Sequence, residues 1–200
     1  MSSHHFVRDG QEPHLLVEHY SAEVLTIIEG LLEWSPTLIV TEQCLEAFLT
    51  SGIKVDCIVA TVKRKDYFIK NYEYLLPFQV IDQHELEIKL TGADANVIVN
   101  SEQHVYELYE AHRNTKLCFY TSQQKFFCPN QLVFEKWISA GQSLFIHNMG
   151  PTLTVHISAG ENHKSYNLEQ HQKTAFTAND DIIAKIDFSH TDILLSQPLN

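Results

Sequence analysis

Gly52-Ile53-Lys54-Val55-Asp56-Cys57-Ile58-Val59-Ala60-Thr61-Val62-Lys63-Arg64 is the stretch on which the fold turns. Val55 to Ala60 is a short apolar run after a glycine, the mark of a strand buried on both faces. It runs into Thr61-Val62-Lys63-Arg64-Lys65, the densest basic cluster in a chain of net charge −11. In an open α/β sheet, ligands gather outside the carboxyl ends of the strands. A site is therefore expected where this strand ends.

The pattern repeats on either side. His14 to Glu18 is a candidate first strand, after a polar lead-in over residues 1 to 13. Ser21 can cap a helix over 22–34, which Ser35-Pro36 stops. A strand is expected over 37–40 and a helix over 42–50, with Gly52 as its C-cap. An aromatic-rich helix follows near 66–75, then a strand over 78–81. Alternation of this kind builds a mainly parallel sheet covered by helices. Residues 82–94 are polar and read as a loop. A strand over 95–99, a helix near 102–112 and a strand over 116–120 complete the unit.

From about Gln124 the pattern changes to short alternating runs between turn clusters such as Asn148-Met149-Gly150-Pro151. Strands are expected over 144–147, 153–158, 165–168, 174–177, 182–187 and 192–195, a small antiparallel unit of six or so strands. The fold class is α/β. An N-terminal Rossmann-like domain with a mainly parallel sheet (1–130) precedes a C-terminal all-β sandwich domain (131–200), with the boundary near Asn130.

Composition narrows the function. The charge of −11 argues against a general nucleic-acid binder, which needs a basic footprint. No apolar run approaches the roughly 18 residues of a membrane-spanning helix. The N-terminus lacks the charged and apolar regions of a signal peptide, so a cytoplasmic protein is expected. Cys44, Cys57, Cys118 and Cys128 are widely spaced, which fits reduced thiols better than a zinc knuckle or a disulfide framework.

Several phrases resemble the thiamine pyrophosphokinase family: residues 2–13, Leu31-Leu32-Glu33-Trp34-Ser35-Pro36, Gly52-Ile53-Lys54-Val55-Asp56, Phe134-Glu135-Lys136-Trp137-Ile138-Ser139-Ala140-Gly141 and Tyr166-Asn167-Leu168. The likeness is densest over 1–64, thin over 65–130 and moderate over 131–200. It implies a homodimer in which ATP gives a pyrophosphoryl group to the thiamine hydroxyl. Carboxylates would hold Mg²⁺ against the phosphate oxygens.

The chain departs from the family where that chemistry lives. The Asp-Gly pair that the family places after the second strand reads Glu42-Gln43 here. Its Gly-Asp-x-Asp after the third strand reads Ala60-Thr61-Val62-Lys63. Its helix-opening Thr-Asp has only Asp82, Glu85 and Glu87 to offer. The Gly-Arg-x-x-Asp-His stretch is missing, and the Ser-Ser-Asn thiamine contact, due near Lys173-Thr174-Ala175, does not read through. A degenerate, non-catalytic member acting as a binding or interaction protein is expected, with no cofactor. An active enzyme with relocated metal ligands, drawn from Glu42, Asp56, Asp82, Glu85 and Glu87, is the alternative, and ATP and Mg²⁺ belong to it alone.

The ligand-binding candidates are Glu42, Thr61, Lys63, Arg64 and Asp82, with no catalytic or metal residues. Lys63-Arg64-Lys65 reads first as a solvated basic turn at a helix start, with a small anionic ligand, lysine charge standing in for the lost metal, as the alternative. A homodimer is expected, without nucleic acid or membrane. Among the twelve histidines, only His147 and His156 are placed to face each other across a hairpin. Asp180, Asp181, Asp187 and Asp192 read as turn residues. Tyr67, Phe68, Tyr72, Tyr74 and Phe78 read as core packing.

Overall fold

The computed structural model describes residues 13–75, 77–113, 115–129 and 131–199. The N-terminal phrase at 2–12 and Asn130 lie outside the described residues. The chain divides into two compact units, one up to Ser122 and one from Gln123.

The first unit alternates strand and helix: β1 (His14–Val17), α1 (Ala22–Leu32), β2 (Thr37–Thr41), α2 (Leu45–Thr50), β3 (Cys57–Val59), α3 (Lys65–Asn71), β4 (Gln79–Ile81), α4 (Gln83–Leu90), β5 (Asp94–Ile98), α5 (Glu102–Ala111) and β6 (Lys116–Tyr120). The six strands run parallel in the order β6-β5-β1-β2-β3-β4. The register pairs Val17 with Val40, Val40 with Ile58, and Ile58 with Val80, so the carboxyl ends fall in line. Leu38, Ile39 and Val40 are each no more than 1% exposed although neighbours point to opposite faces. Both faces are therefore covered, which is why the strands read as unbroken apolar runs. Each such side chain contributes about 1.5–3 kcal/mol by leaving water.

β3 has three residues where Val55 to Ala60 was expected. Asp56 lies just before the ladder and bridges to β2 with its own groups: its N–H donates to Leu38 O (3.1 Å) and its Oδ2 accepts from Leu38 N–H (3.0 Å). Gly52 sits at φ 70°, the left-handed position that ends α2 as expected.

The expected loop over 82–94 is instead α4, and this corrects the sequence reading. Asp82 Oδ1 accepts from Glu85 N–H (3.0 Å) while Glu85 Oε2 accepts from Asp82 N–H (2.8 Å), a reciprocal capping box. Only Leu86 and Leu90 of this helix are buried, so its apolar stripe is too narrow to stand out. The helix expected near 66–75 is also broken up. Single 3₁₀ turns, Val62–Arg64 and Glu73–Leu75, flank α3. The aromatic set is not a core: Phe68 is buried, whereas Tyr67 is 50% and Tyr74 73% exposed.

The second unit holds β7 (Gln124–Phe127), β8 (Val133–Ile138), β9 (Ser143–Asn148), β10 (Leu153–Ala159), β11 (Asn162–Leu168), β12 (Lys173–Thr177), β13 (Ile182–Phe188) and β14 (Ile193–Pro198). They form two antiparallel arrangements, β12-β9-β14-β7 and β11-β10-β13-β8. One apolar cluster draws on both, including Ile146 and Leu195 from the first and Val155 and Ile186 from the second. β7 and β8 add to the six strands expected. β7 pairs with β14, from Leu195 opposite Phe127 to Pro198 opposite Gln124, which carries the unit back to Gln123 from the expected boundary near Asn130.

His147 and His156 do not face each other. β9 pairs with β12 and β14, and β10 with β11 and β13, so the two histidines belong to different arrangements. His147 is buried against Ser196 Oγ (2.8 Å), and His156 lies exposed beside Ser165 Oγ (2.8 Å). Asp181 keeps a turn role, its Oδ1 accepting from Ala140 N–H (2.9 Å). None of the four cysteines is in a disulfide, and burial pushes Cys57 up to about 11.

Candidate functional site

Three strand ends meet at one edge of the parallel sheet. After β2, Glu42 N–H donates to Val59 O (3.1 Å), which holds Glu42 beside the end of β3. After β3, Ala60 N–H donates to Ile81 O (2.9 Å) and Arg64 N–H to Thr61 O (2.8 Å), turning the chain into a tight 3₁₀ turn. After β4, Asp82 caps α4. Between these ends lies a cleft of about 520 Å³, lined by Thr41, Glu42, Gln43, Val59 to Val62 and Asp82 to His84. Its position at the carboxyl ends is where such sheets bind ligands. Two smaller cavities, about 390 Å³ beside Leu49, Ile53 and Tyr74 and about 120 Å³ beside Lys164 and Phe176, contain none of the candidate residues.

Of the five candidates, Glu42, Thr61 and Asp82 line the cleft. Arg64 stands behind Glu42, with its Nη1 3.1 Å from Glu42 Oε2 and its guanidinium 4.9 Å from the Phe68 ring centre and 5.4 Å from that of Tyr67. Lys63 is exposed and makes no ion pair among the described residues. The lysine that meets the carboxylates is Lys65, with its Nζ 2.9 Å from Asp82 Oδ2 and in contact with Glu85 Oε2. Its hydrogen bonds hold both carboxyls below their ordinary range, and those carboxylates in turn raise Lys65. Lys65 and Glu85 were legible as a basic cluster and a D-x-x-E cap. Their pairing needed the turn at Val62–Arg64, which sets the phase of the basic side chains.

These residues do not suit Mg²⁺, which wants near-octahedral oxygens. Asp82 spends one oxygen on its helix cap and the other on Lys65, and Glu85 Oε2 serves Asp82 N–H and Lys65 together. Asp56 is paired with Lys54 (3.2 Å) and Leu38 N–H, and Glu87 is exposed on α4. Among the described residues no group of three His, Cys, Asp or Glu is arranged to hold a metal. Lys173-Thr174-Ala175 lies within β12, paired to β9. No helix among the described residues is long and apolar enough to cross a membrane.

No protein-family model matches the chain, and no curated protein matches it by sequence. Solved structures do. Thiamin pyrophosphokinase from Geobacillus thermodenitrificans superposes with a TM-score of 0.65 at 7% identity, over 94% of this chain and 97% of that one. A thiamin pyrophosphokinase family protein from Enterococcus faecalis gives 0.63 at 10% identity, over 94% and 100%. Thiamin pyrophosphokinase from Candida albicans gives 0.62 at 9% identity, over 97% and 95%. The chain has the thiamin pyrophosphokinase fold along almost its whole length.

Proposed function

We propose that this chain is a non-catalytic relative of the thiamin pyrophosphokinases, a binding protein that uses the cleft at the carboxyl ends of β2, β3 and β4. On this reading the units are a Rossmann-like domain and a β-sandwich, and the protein is a cytoplasmic homodimer without nucleic-acid or membrane partners. One observation carries it. Arg64 Nη1 lies 3.1 Å from Glu42 Oε2, and Lys65 meets Asp82 and Glu85, so among the described residues these three carboxylates each already face a basic side chain. A divalent ion would have to displace both basic residues before it could steer a phosphoryl group. The test is an assay for thiamine diphosphate from thiamine, ATP and Mg²⁺ with the purified full chain. The reading expects none above a no-enzyme control, and turnover that tracks the protein through purification overturns it.

The active-enzyme reading draws on one observation of its own. Glu42 and Asp82 line the same cleft, and Asp82 opens a helix as the family's Thr-Asp does. It requires Lys65 to swing away when Mg²⁺·ATP arrives, and the same assay decides it.

A further inference from the structure

Among the described Asp, Glu, Lys and Arg residues, only Glu42 and Asp82 line the cleft; Arg64 and Lys65 reach these carboxylates without lining it. The start of α4, where a helix would ordinarily draw an anion, is filled by the Asp82–Glu85 capping box. Val59 and Ala60 supply a buried apolar wall, and Gln43 and Thr61 a polar rim.

Glu42 differs from Asp82. Both Asp82 oxygens are engaged, but Glu42 Oε2 is shut off from solvent and makes no hydrogen bond among the described residues. Arg64 Nη1 lies 3.1 Å away yet outside hydrogen-bonding geometry. A buried acceptor without a donor is uncommon and calls for a partner. The guanidinium already lies over the Phe68 and Tyr67 rings while it faces Glu42, so those ring contacts still hold its charge when a competing donor takes the carboxylate.

We infer that the cleft takes an uncharged or cationic small molecule bearing an amine or amidine, anchored on Glu42, and rejects polyphosphates. This rests on reading the cleft as a binding site and reverses the ligand charge of the anionic alternative read from Lys63-Arg64-Lys65. Phosphate oxygens would meet two carboxylates and no lining Lys or Arg among the described residues, whereas an N–H donor completes Glu42 by a charge-assisted bond.

The test is a ¹⁵N-NMR titration of the full chain with benzamidine, and separately with inorganic pyrophosphate plus Mg²⁺. Benzamidine is expected to shift the amides of Gln43, Thr61 and His84. Glu42→Gln should weaken it about tenfold, the loss of one charge-assisted bond. Arg64→Gln, which removes the competitor, should tighten it. Benzamidine shifts that persist unchanged in Glu42→Gln, or no shifts at all, overturn the inference and leave the non-catalytic reading standing. Mg²⁺-dependent pyrophosphate shifts at the same amides overturn both.

Discussion

Lys65 Nζ lies 2.9 Å from Asp82 Oδ2, tying the turn after β3 to the cap of α4. Glu85 joins the same ammonium, so one lysine satisfies the two carboxylates that close the helix start. The contact explains why a stretch that resembles a metal-binding edge holds a cation of its own.

The first prediction concerns acid. Asp82 and Glu85 titrate below their ordinary values of 3.8 and 4.5 in the folded chain, chiefly through Lys65. Carboxyls depressed in this way stabilise the fold above those ordinary values, and the contribution is lost as pH falls through the folded ones. In Lys65→Met both titrations, followed by carboxyl ¹³C NMR, should move up toward the ordinary range.

His14 adds a second pH effect. It opens the central strand β1, its Nδ1 is buried without a hydrogen bond among the described residues, and burial lowers its pKa from 6.5. A lowered histidine contributes stability above 6.5 that is lost as pH falls. Urea midpoints measured from pH 7 to pH 5 should fall, and His14→Gln should flatten that slope.

A third prediction tests α4. Asp82→Ala removes the acceptor for Glu85 N–H and leaves a helix held by buried Leu86 and Leu90 and by the Glu85–Lys65 contact. Amide exchange over Glu85–Leu90 should accelerate, while exchange in β9 and β14 stays unchanged.

Gly150 tests the second unit. A methyl added there would lie 2.7 Å from Asp192 Cβ and 3.0 Å from His190 Cε1, closer than atoms pack. Gly150→Ala should cost about 1–3 kcal/mol, as overpacking does, in urea unfolding.

How far these features were legible depends on burial. Ile58 and Val59 announced β3 because both faces of their strand are covered. α4 was hidden because Leu86 and Leu90 alone face inward, though its D-x-x-E cap stood in the sequence. β8 was hidden because Val133 and Trp137 are exposed and blur the alternation. Glu42, Thr61 and Asp82 were readable as strand-end residues. The choice of Lys65 over Lys63 was not, since it depends on the phase of one 3₁₀ turn, which no periodicity reports.

The central claim is that this edge of the sheet no longer takes Mg²⁺ and a triphosphate, and a thermal-shift titration with ATP, with and without Mg²⁺, tests it most directly. A ligand held by the native state raises the melting temperature by mass action. The account predicts no Mg²⁺-dependent rise at any ATP concentration. A Mg²⁺-dependent rise of about 5 °C or more, the scale expected near a hundredfold excess over Kd for a chain of this size, would contradict it.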